Sequence, residues 1–600
     1  MDHSRRNFLG RAGLSAAACL APPRLLLGKA TVPVPAPSAG VGSQIAIPYL
    51  ETMPNIPSPF KIRDWTRVAT ELDGYLFDLN AKGPYLPLIW IDKSHANFNA
   101  DTFGLDIAVG HPLCGPQPGK MDNHLAFCDM PAVIGASLVG IDKSRQGGHD
   151  WVSMEKAFFG RANGSDVFLV TTQGEHGPKK DHSSQFKDFW VNTLPSMFCA
   201  QLVHLYPHES ELAALMRRSA DRFRDAVPVL AKSPQGFTHQ SFDFVRMLPF
   251  DGPKSQHWIE PESSAAFAWL EFMAYVKFGD PKYFEAAIVA MDALNAETSD
   301  PLYETMLPYG AYLAARLNAE HGRDYDTAKL LAWCFSGGHI ASDGVSAFRA
   351  GTYDMSGLWT MHGRAYLFES FQLASSLVPL VRYDHRFARA VGKWLLNAAN
   401  SARLFYPYEI PDAYQATPQL KSISRNLIAY EVVLRKSTEY LLPWEKPIFA
   451  PEPVKPFFAT RDRWEQGKPY RPFPPVTHFS IYSSTSVGVF GGIISRTSDD
   501  KILCLDCLKT DYFHGPAYPT YLYFNPHQQD SDIIVEVGDQ PTSLYDTVSK
   551  RWVALAARGQ TRVRIAKDSA AVLVKIPASA STKRINGKLY ADGMVVDYRA

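Results

Sequence analysis

HWIEPESSAAFAWLEFMAYVKFGDPKYFEAAIVAMDAL, at residues 257–294, is the stretch that decides the fold. Two apolar runs with helical spacing flank a Gly-Asp-Pro break at 279–281, a pattern typical of two antiparallel helices joined by a short turn. Pro261 suits the first helical position, because the N–H that it lacks would have no partner there. The spacing therefore predicts a helical hairpin whose first helix has Glu260 as its N-cap and Glu262 in its first turn.

The two carboxylates at the start of this hairpin allow two interpretations. Both can complement the positive end of the helix dipole, which is a common role of acidic residues in a first turn. Alternatively, Glu262 stands at the mouth of a cavity, since counting by three and four from it reaches Ala266 and Trp269 on the core-facing stripe. The hairpin alone leaves both interpretations open.

The same hairpin pattern recurs from about residue 62 to residue 440. We predict about eleven helices there, most of them paired across short breaks marked by Pro or Gly. A stretch rich in Pro and aromatic residues follows, and from Val476 onward the apolar period changes to two, as in antiparallel strands. The predicted fold class is multidomain, α then β: an (α/α)6-type toroid of helical hairpins followed by an antiparallel β-sandwich. The predicted boundaries are 1–30 for a signal peptide, 31–60 for a Pro-rich linker, 61–442 for the toroid, 443–475 for a second linker and 476–600 for the β-sandwich.

This order of elements resembles that of the six-hairpin glycosidase superfamily, in which a toroid is often joined to a β-sandwich. The resemblance covers about residues 60–600 and concerns the fold alone, because no short family signature matches. It implies a central cavity lined by inner helices, with the loops at one end shaping a groove for an oligosaccharide or polysaccharide. Many polysaccharide lyases share the toroid.

Composition narrows the class of protein. With 46% hydrophobic and 20% charged residues, the chain is typical of a soluble globular protein. The formal net charge of +1 argues against a nucleic-acid partner, which requires a basic surface. Aromatic residues make up 12% of the sequence, and flat aromatic rings are common in sites that stack sugar rings.

The first residues match an export signal. SRRNFL at residues 4–9 follows the twin-arginine motif, and the apolar run at 12–21 is too short to span a bilayer permanently. We therefore expect a periplasmic or secreted protein without a permanent membrane span.

No cofactor is predicted, because the sequence has no G-x-G-x-x-G after a strand, no haem motif and no cluster-type run of cysteines. Cys504 and Cys507 form a C-x-x-C motif, but their spacing in a strand places the two thiols on opposite faces. GEHGPKKDHSSQ at 174–185 holds possible metal ligands, yet its Lys-rich surroundings favour a solvated linker. Cys114 and Cys128 flank a loop, and their pairing stays open.

Candidate site residues lie where a toroid forms its groove, at helix starts and in loops rich in Gly and Tyr. Sugar cleavage needs two carboxyls across the glycosidic bond, and aromatic rings supply flat faces for the sugar. The predicted catalytic residues are Glu262, Glu304 and Asp354. The predicted substrate-binding residues are Trp258, Tyr303, Tyr353, Trp359, His362, Arg364, Tyr408, Glu409 and Asp412. For each carboxylate, a helix cap or a loop salt bridge is the alternative.

A further loop, WIDKSHANFNADTFGLD at 90–106, carries polar residues between apolar flanks. It either reaches into the groove or is a plain solvated loop.

Three functions fit these features. The first is an exported glycoside hydrolase with paired carboxylates. A polysaccharide lyase would instead use Tyr353 or His362 as a base and Arg364 to neutralise a uronate, which favours a basic groove. A non-catalytic glycan-binding protein would keep the aromatic rings without a close carboxyl pair.

Overall fold

The computed structural model describes most of the chain. The described residues are 44–95, 97–106, 108–109, 125–161, 163–172, 188–251, 259–336, 342–345, 347, 349–350, 353–361, 364–412, 418–434 and 479–600. The predicted signal peptide, the predicted linker at 443–475, the stretch 174–185, Cys114, Trp258 and His362 lie outside them, as does the side chain of Arg364.

Within the described residues, eleven helices have seven residues or more. They are α1 (Trp65–Leu76), α2 (Ala126–Leu138), α3 (Phe189–Leu205), α4 (Ser210–Ala231), α5 (Ser263–Phe278), α6 (Pro281–Ala296), α7 (Leu307–His321), α8 (Thr327–Ser336), α9 (Leu367–Tyr383), α10 (Ala388–Ala402) and α11 (Val487–Ile493). Shorter helices cover Pro48–Glu51, Trp151–Met154, Lys421–Ser424 and Ile481–Ser484. In this part of the chain no helix combines the length and the apolar character needed to cross a membrane.

Six of these helices form a closed inner ring. α2, α3, α5, α7, α9 and α11 each pack against the next, and α11 packs against α2. α1, α4, α6, α8 and α10 lie outside this ring, together with the short helix Trp151–Met154 and the 3-10 turn Glu155–Phe158. The predicted (α/α)6 toroid is therefore confirmed.

Burial distinguishes the inner helices from most of the outer ones; the exception is α10, which the β domain covers and which is buried over nearly its whole length. In α5 every residue from Ser263 to Ala274 is buried, so this helix is enclosed on all sides and needs apolar residues all round. The outer helix α1 is amphipathic and turns Trp65, Val68 and Leu72 towards the core. A nearly continuous apolar run therefore marks an inner helix in this chain.

A close backbone contact joins the first inner helix to the last. A Cβ atom on Gly488 of α11 would lie 2.1 Å from the Cα atom of Gly135 in α2, so only glycine fits at this crossing. The prediction of strands from Val476 onward is wrong for this stretch, because Ile481–Ser484 and α11 are helical. A short apolar run rich in Gly fits a buried helix as well as a strand, and periodicity cannot separate the two.

Short antiparallel strands lie in the loops of the toroid. They are β1 (Ile89–Asp92), β2 (Thr102–Leu105), β3 (Ser241–Asp243), β4 (Leu248–Phe250), β5 (Ser342–Val345), β6 (Arg349–Ala350), β7 (Tyr353–Asp354), β8 (Trp359–Met361), β9 (Arg364–Tyr366), β10 (Ala429–Tyr430), β11 (Val432–Leu434) and β12 (Phe479–Ser480). Four of them form one sheet in the order β11-β9-β8-β5 beside the start of α9.

The C-terminal residues form two antiparallel sheets, as expected for a β domain after the toroid. Their strands are β13 (Ile494–Arg496), β14 (Leu503–Asp506), β15 (Thr520–Asn525), β16 (Ser531–Asp546), β17 (Arg551–Ile565), β18 (Ser569–Pro577), β19 (Thr582–Ile585), β20 (Lys588–Ala591) and β21 (Met594–Asp597). The larger sheet has the order β13-β14-β15-β18-β16-β17. One face of it packs on α10. On the other face, the long hairpin β16–β17 brings Ile533 and Val563 against Tyr523 and Leu573.

Residues 44–60 differ from the predicted Pro-rich linker, because they pack against the toroid. Ile47, Leu50 and Met53 are buried in its core. The side-chain amide of Asn397 in α10 donates a hydrogen bond of 2.9 Å to the carbonyl of Pro54. Apolar residues spaced between the prolines therefore fix this segment along α10.

Candidate active site

The starts of the inner helices meet at one end of the ring, which we call its N-terminal end. Phe127 in the first turn of α2 stacks on Trp190 of α3, with ring centroids 5.0 Å apart. Phe368 in the first turn of α9 stacks on Tyr482, in the short helix before α11, at 4.8 Å. The two stacks contact each other, since the centroids of Phe127 and Phe368 are 6.3 Å apart. They form an aromatic layer inside this end of the ring.

Besides Asp129 in the first turn of α2, six acidic residues lie at the same end, and we call these six the carboxyl cluster. They are Asp188, Glu260, Glu262, Glu304, Glu369 and Glu431, and all six are buried. Five of them precede an inner helix or stand in its first turn. The sixth, Glu431, accepts a hydrogen bond from the backbone N–H of Leu367 through its own carbonyl, at 3.1 Å. The positive ends of the helix dipoles therefore face the cluster and favour negative charge there.

Glu262 holds the start of the next inner helix. Its two carboxylate oxygens accept hydrogen bonds from the backbone N–H groups of Glu304, at 2.5 Å, and Leu307, at 2.8 Å. It is the N-cap residue of its own helix α5 but makes no side-chain cap bond there. Burial raises the pKa of Glu262 to about 7, and the backbone N–H donors oppose this shift.

Glu260 holds the start of the preceding inner helix, α3. Its Oε2 atom accepts a hydrogen bond of 2.8 Å from the backbone N–H of Trp190 in α3. Its Oε1 atom is buried and has no hydrogen-bond partner among the described residues. Burial, together with the nearby charge of Asp188, raises the pKa of Glu260 well above its ordinary value. The two acids at the start of this hairpin therefore cap the neighbouring helices α3 and α7 rather than their own.

Glu304 and Glu369 are two further carboxyls of the cluster, at the starts of α7 and α9. Glu304 precedes α7 and is 7% exposed. Burial raises its pKa well above its ordinary value, and the charges of Glu369 and Glu262 raise it further. Burial raises the pKa of Glu369 to about 8, and its Oε2 atom has no hydrogen-bond partner in the described part of the chain. Both groups therefore favour the protonated form.

Two predicted aromatic contacts belong to the core of this end. Tyr303 is buried beside the cluster, and burial raises the pKa of its hydroxyl, as do the charges of Asp188 and Glu260. Trp359 is fully buried, its ring centroid 5.7 Å from that of Tyr366. Trp359 is therefore a packing residue rather than an exposed platform for a sugar.

Asp354 lies apart from the capping interactions of the cluster. Its Oδ2 atom accepts a hydrogen bond of 2.5 Å from the backbone N–H of Ser58, and its own N–H donates to the carbonyl of Ser58 at 2.7 Å. Asp354 thus anchors the packed segment 44–60, with the half-buried Tyr353 next to it in β7. The predicted catalytic role of Asp354 is not supported, because its carboxylate is occupied by a backbone donor.

Three more predicted residues, Tyr408, Glu409 and Asp412, lie in one loop and contact lysines. Both oxygens of Glu409 accept from the Nζ atom of Lys61, at 2.9 and 2.7 Å. Asp412 binds Lys421 at 2.6 Å, and the Nζ atom of Lys421 also lies 4.7 Å from the ring centroid of the exposed Tyr408. These contacts are those of loop salt bridges. In the described residues, no group of three or more His, Cys, Asp or Glu side chains is placed to hold a metal ion.

Sequence reasoning missed Asp188, Glu369 and Glu431. The available signal was a single carboxylate inside or next to a fully apolar helical run, as in YLFESFQL around Glu369. Such a residue has no solvated face to occupy, so it must lie in the interior.

Comparisons with known proteins bear on the fold alone. No protein-family model and no curated protein matches the chain. A GH127 β-L-arabinofuranosidase from Geobacillus stearothermophilus T6 is 10% identical, with a TM-score of 0.36 over 89% of this chain and 85% of that one. A family 76 glycoside hydrolase from a bovine Bacteroides thetaiotaomicron strain is 11% identical, with a TM-score of 0.41 over 72% and 77%. The cellulase Cel9M of C. cellulolyticum is 12% identical, with a TM-score of 0.32 over 72% and 98%.

Proposed function

We propose that this chain is a glycoside hydrolase that cleaves an oligosaccharide or polysaccharide, with Glu304 and Glu369 as its working carboxyls. The observation that carries the proposal is the placement of these two buried side chains, with raised pKa values, at the starts of the neighbouring inner helices: Glu304 precedes α7 and Glu369 stands in the first turn of α9. Glu262 and Glu260 act as positioning residues, since each fixes the start of an adjacent inner helix.

The chemistry follows from the electrostatics of the pair. Glycoside cleavage needs one protonated carboxyl, which protonates the leaving oxygen, and one ionised carboxyl, which acts as base or nucleophile. Two interacting carboxyls lose their protons in two separate steps, so an intermediate pH range leaves one proton on the pair. Burial raises both pKa values, which extends that range towards neutral pH.

The test is hydrolysis of a panel of neutral polysaccharides and of aryl glycosides, with Glu304→Gln and Glu369→Gln as variants. Each variant should lower kcat by about 10²–10⁴-fold, the usual contribution of a positioned acid or base. Folding should be retained, because an amide replaces a carboxyl that already favours its neutral form. Glu409→Gln is the matched control and should stay within about twofold, because Lys61 already occupies that carboxylate. Full activity in both test variants, or no cleavage of any glycan, would overturn the assignment.

The charge of the site argues against the lyase alternative. A lyase must neutralise the carboxylate of a uronate, whereas the described residues at this end include six buried acids. In the protonated form these acids supply no positive charge to a uronate, and in the ionised form they repel it. A non-catalytic binding protein would gain nothing from acids whose pKa values are raised by burial, since such burial costs stability. The carboxyl cluster therefore fits acid–base cleavage of a neutral sugar better than it fits a lyase or a non-catalytic binding protein.

We also propose export to the periplasm or the medium through the twin-arginine motif at residues 4–9. Replacing both Arg5 and Arg6 with Lys should leave the precursor in the cytoplasm, as judged by cell fractionation and immunoblotting. An Arg11→Lys variant, outside the motif, is the control and should be exported normally. Unchanged delivery of the double variant would refute the proposal.

A further inference from the structure

A serine, a histidine and an aspartate outside the carboxyl cluster are hydrogen-bonded in a row, and we call them the triad. The Oγ atom of Ser233 lies 2.7 Å from the Nε2 atom of His239, and the Nδ1 atom of the same ring lies 2.8 Å from the Oδ2 atom of Asp251. All three belong to the connection between α4 and α5. This order of hydroxyl, imidazole and carboxylate is that of a serine nucleophile, its base and the group that orients the base.

Backbone contacts fix the imidazole and the carboxylate of the triad. His239 is only 5% exposed, and its carbonyl accepts a hydrogen bond of 3.0 Å from the N–H of Glu260. The other oxygen of Asp251, Oδ1, accepts from the N–H of Gln240 at 3.1 Å. A carboxylate held against Nδ1 favours the neutral imidazole that carries its proton there, so Nε2 can accept from the hydroxyl of Ser233. This is the tautomer that a general base needs.

The hydroxyl of the triad can be reached from solvent. Ser233 is half-buried, and the next two residues, Pro234 and Gln235, are exposed. The backbone N–H of Gln235 lies 3.4 Å from the Oγ atom of Ser233. A carbonyl attacked by this Oγ atom would lie beside the same N–H, which can then donate to the negative oxygen that forms. The triad therefore combines a nucleophile, a base and a donor for the oxyanion.

The triad lies next to the N-terminal end of the inner ring. His239 is joined to Glu260 of the carboxyl cluster through the backbone hydrogen bond described above. The carbonyl of the following residue, Gln240, accepts from the N–H of Phe189, the first residue of α3, at 3.1 Å. A polysaccharide held at the carboxyl cluster can therefore present a substituent to Ser233.

We propose that the triad is a second catalytic centre, a serine esterase that removes small acyl groups, such as acetyl, from the hydroxyls of a sugar. Ser233 and His239 are its catalytic residues, and Asp251 is the positioning residue of the imidazole. The acylated sugar as substrate rests on the function proposed above, whereas ester cleavage itself does not.

The reaction is ester hydrolysis, with water as the second reactant. The Oγ atom of Ser233 attacks the ester carbonyl while its proton moves to the Nε2 atom of His239. The bond between the carbonyl carbon and the sugar oxygen then breaks, and the proton passes to that oxygen, which leaves as a hydroxyl. Water attacks the acyl-serine in the same way, with His239 taking and returning the proton, and the free acid is released.

The first experiment treats the full chain with a fluorophosphonate probe and locates the label by peptide mass spectrometry. Ser233 should be labelled, because the probe reacts with activated serines. His239→Gln should abolish the label, since it keeps Ser233 but removes the base. Ser549, half-buried in the turn between β16 and β17, is the internal control and should stay unlabelled. An unlabelled Ser233 in the folded, unmodified protein would overturn the proposal and make the triad a structural link of its loop.

The second experiment measures ester cleavage with p-nitrophenyl acetate, acetylated xylan and acetylated glucomannan. Ser233→Ala should lower kcat by about 10³-fold or more, and Asp251→Asn by about 10²–10⁴-fold with little change in KM. Asp251→Asn keeps the acceptor for the N–H of Gln240, so its melting temperature should stay close to that of the parent. Ser549→Ala is the matched control and should stay within about twofold. Equal rates for Ser233→Ala and its parent would overturn the esterase.

The two proposals fail separately. Ester cleavage that depends on Ser233, without cleavage of any glycan, would keep the esterase and refute the hydrolase. Glycan cleavage with no label on Ser233 and no ester cleavage would do the reverse. Cleavage of p-nitrophenyl acetate alone, with no acetate released from either polysaccharide, would keep the catalytic centre and refute the acylated sugar as its substrate.

Discussion

The two ends of the inner ring differ in whether their buried charged groups have hydrogen-bond partners. At the C-terminal end, the guanidinium of Arg316 is fully paired: it donates to Glu320, to the hydroxyl of Tyr312 and to the carbonyls of Tyr512 and Phe513, at 2.8–3.0 Å. At the N-terminal end, the described carboxyl cluster leaves atoms of Glu260 and Glu369 without partners.

This difference indicates that the C-terminal end holds a structural network, whereas the N-terminal end holds the proposed active site. The segment 511–513, between β14 and β15, closes the C-terminal end, and Asp511 accepts from Tyr312 at 2.6 Å and from Arg382 at 2.8 Å. Charges there are satisfied by the protein, so they attach the β domain to the ring. Unsatisfied buried acids cost stability. Glu155 and Glu271 also have carboxyl oxygens without partners among the described residues, but the carboxyl cluster groups several buried acids in one place. The proposed active site therefore belongs to the N-terminal end.

The largest expected effect comes from breaking the paired end. Arg316→Met should lower the free energy of unfolding by about 3–5 kcal/mol, because it leaves the buried carbonyls of Tyr512 and Phe513 without their donor and breaks the pair with Glu320. Urea denaturation measures this loss, and Arg67→Met, on the exposed side of α1, should stay within about 0.5 kcal/mol. A loss below about 1 kcal/mol for Arg316→Met would show that the two ends do not differ as we argue.

A smaller effect is expected from Glu262→Gln at the N-terminal end. The amide keeps one acceptor but turns its NH₂ group towards a backbone N–H, so the variant should lose about 1–3 kcal/mol. Activity should fall too, because Glu304 sits on the turn that Glu262 fixes. Glu285→Gln on the exposed face of α6 is the control in the same denaturation series. A loss of only 0.3–1 kcal/mol with full activity would instead indicate a simple dipole partner.

The third expected effect is a change of stability with pH, which is spread over several pH units. The folded pKa values of Glu262 and Glu369, about 7 and about 8, lie above the ordinary value of 4.5, so the folded state binds more protons than the unfolded state between these limits. The free energy of unfolding should therefore fall as pH rises from about 4.5 to 8, by up to about 1.4 kcal/mol per pH unit for each group. Glu369→Gln should flatten the slope measured by urea denaturation. A stability that rises with pH over this range would contradict the raised pKa values.

Local signals explain what the sequence could predict. The hairpin at 257–294 carries its own periodicity and its own Gly-Asp-Pro break, so its form needs no distant partner. The predicted helix start was wrong by two residues, because the N-cap is Glu262 instead of Glu260 and Pro261 lies in the turn before the helix. The repetition of such units predicted the toroid. The β domain followed from a change of period that is equally local.

The missed features depend on partners far along the chain. Asp354 looked catalytic in a Gly- and Tyr-rich loop, but its carboxylate is bonded to Ser58, 296 residues away. Glu262 was assigned to its own helix or to a substrate, whereas its donors are Glu304 and Leu307. No spacing in the sequence encodes which N–H a buried acid will meet. The geometry of the ring decides that.

The contact of Gly135 with Gly488 has a consequence for synthesis of the chain. Most of the ring is made before residue 487, yet its last inner helix leaves the ribosome only afterwards. Until then, α2 and α9 expose the apolar flanks that α11 will cover, and such surfaces promote aggregation in partly folded chains. Ring closure is also a contact of very long range, which slows folding. Folding of this protein must therefore finish late, and the unfinished ring is the stage at which a chaperone has most to bind.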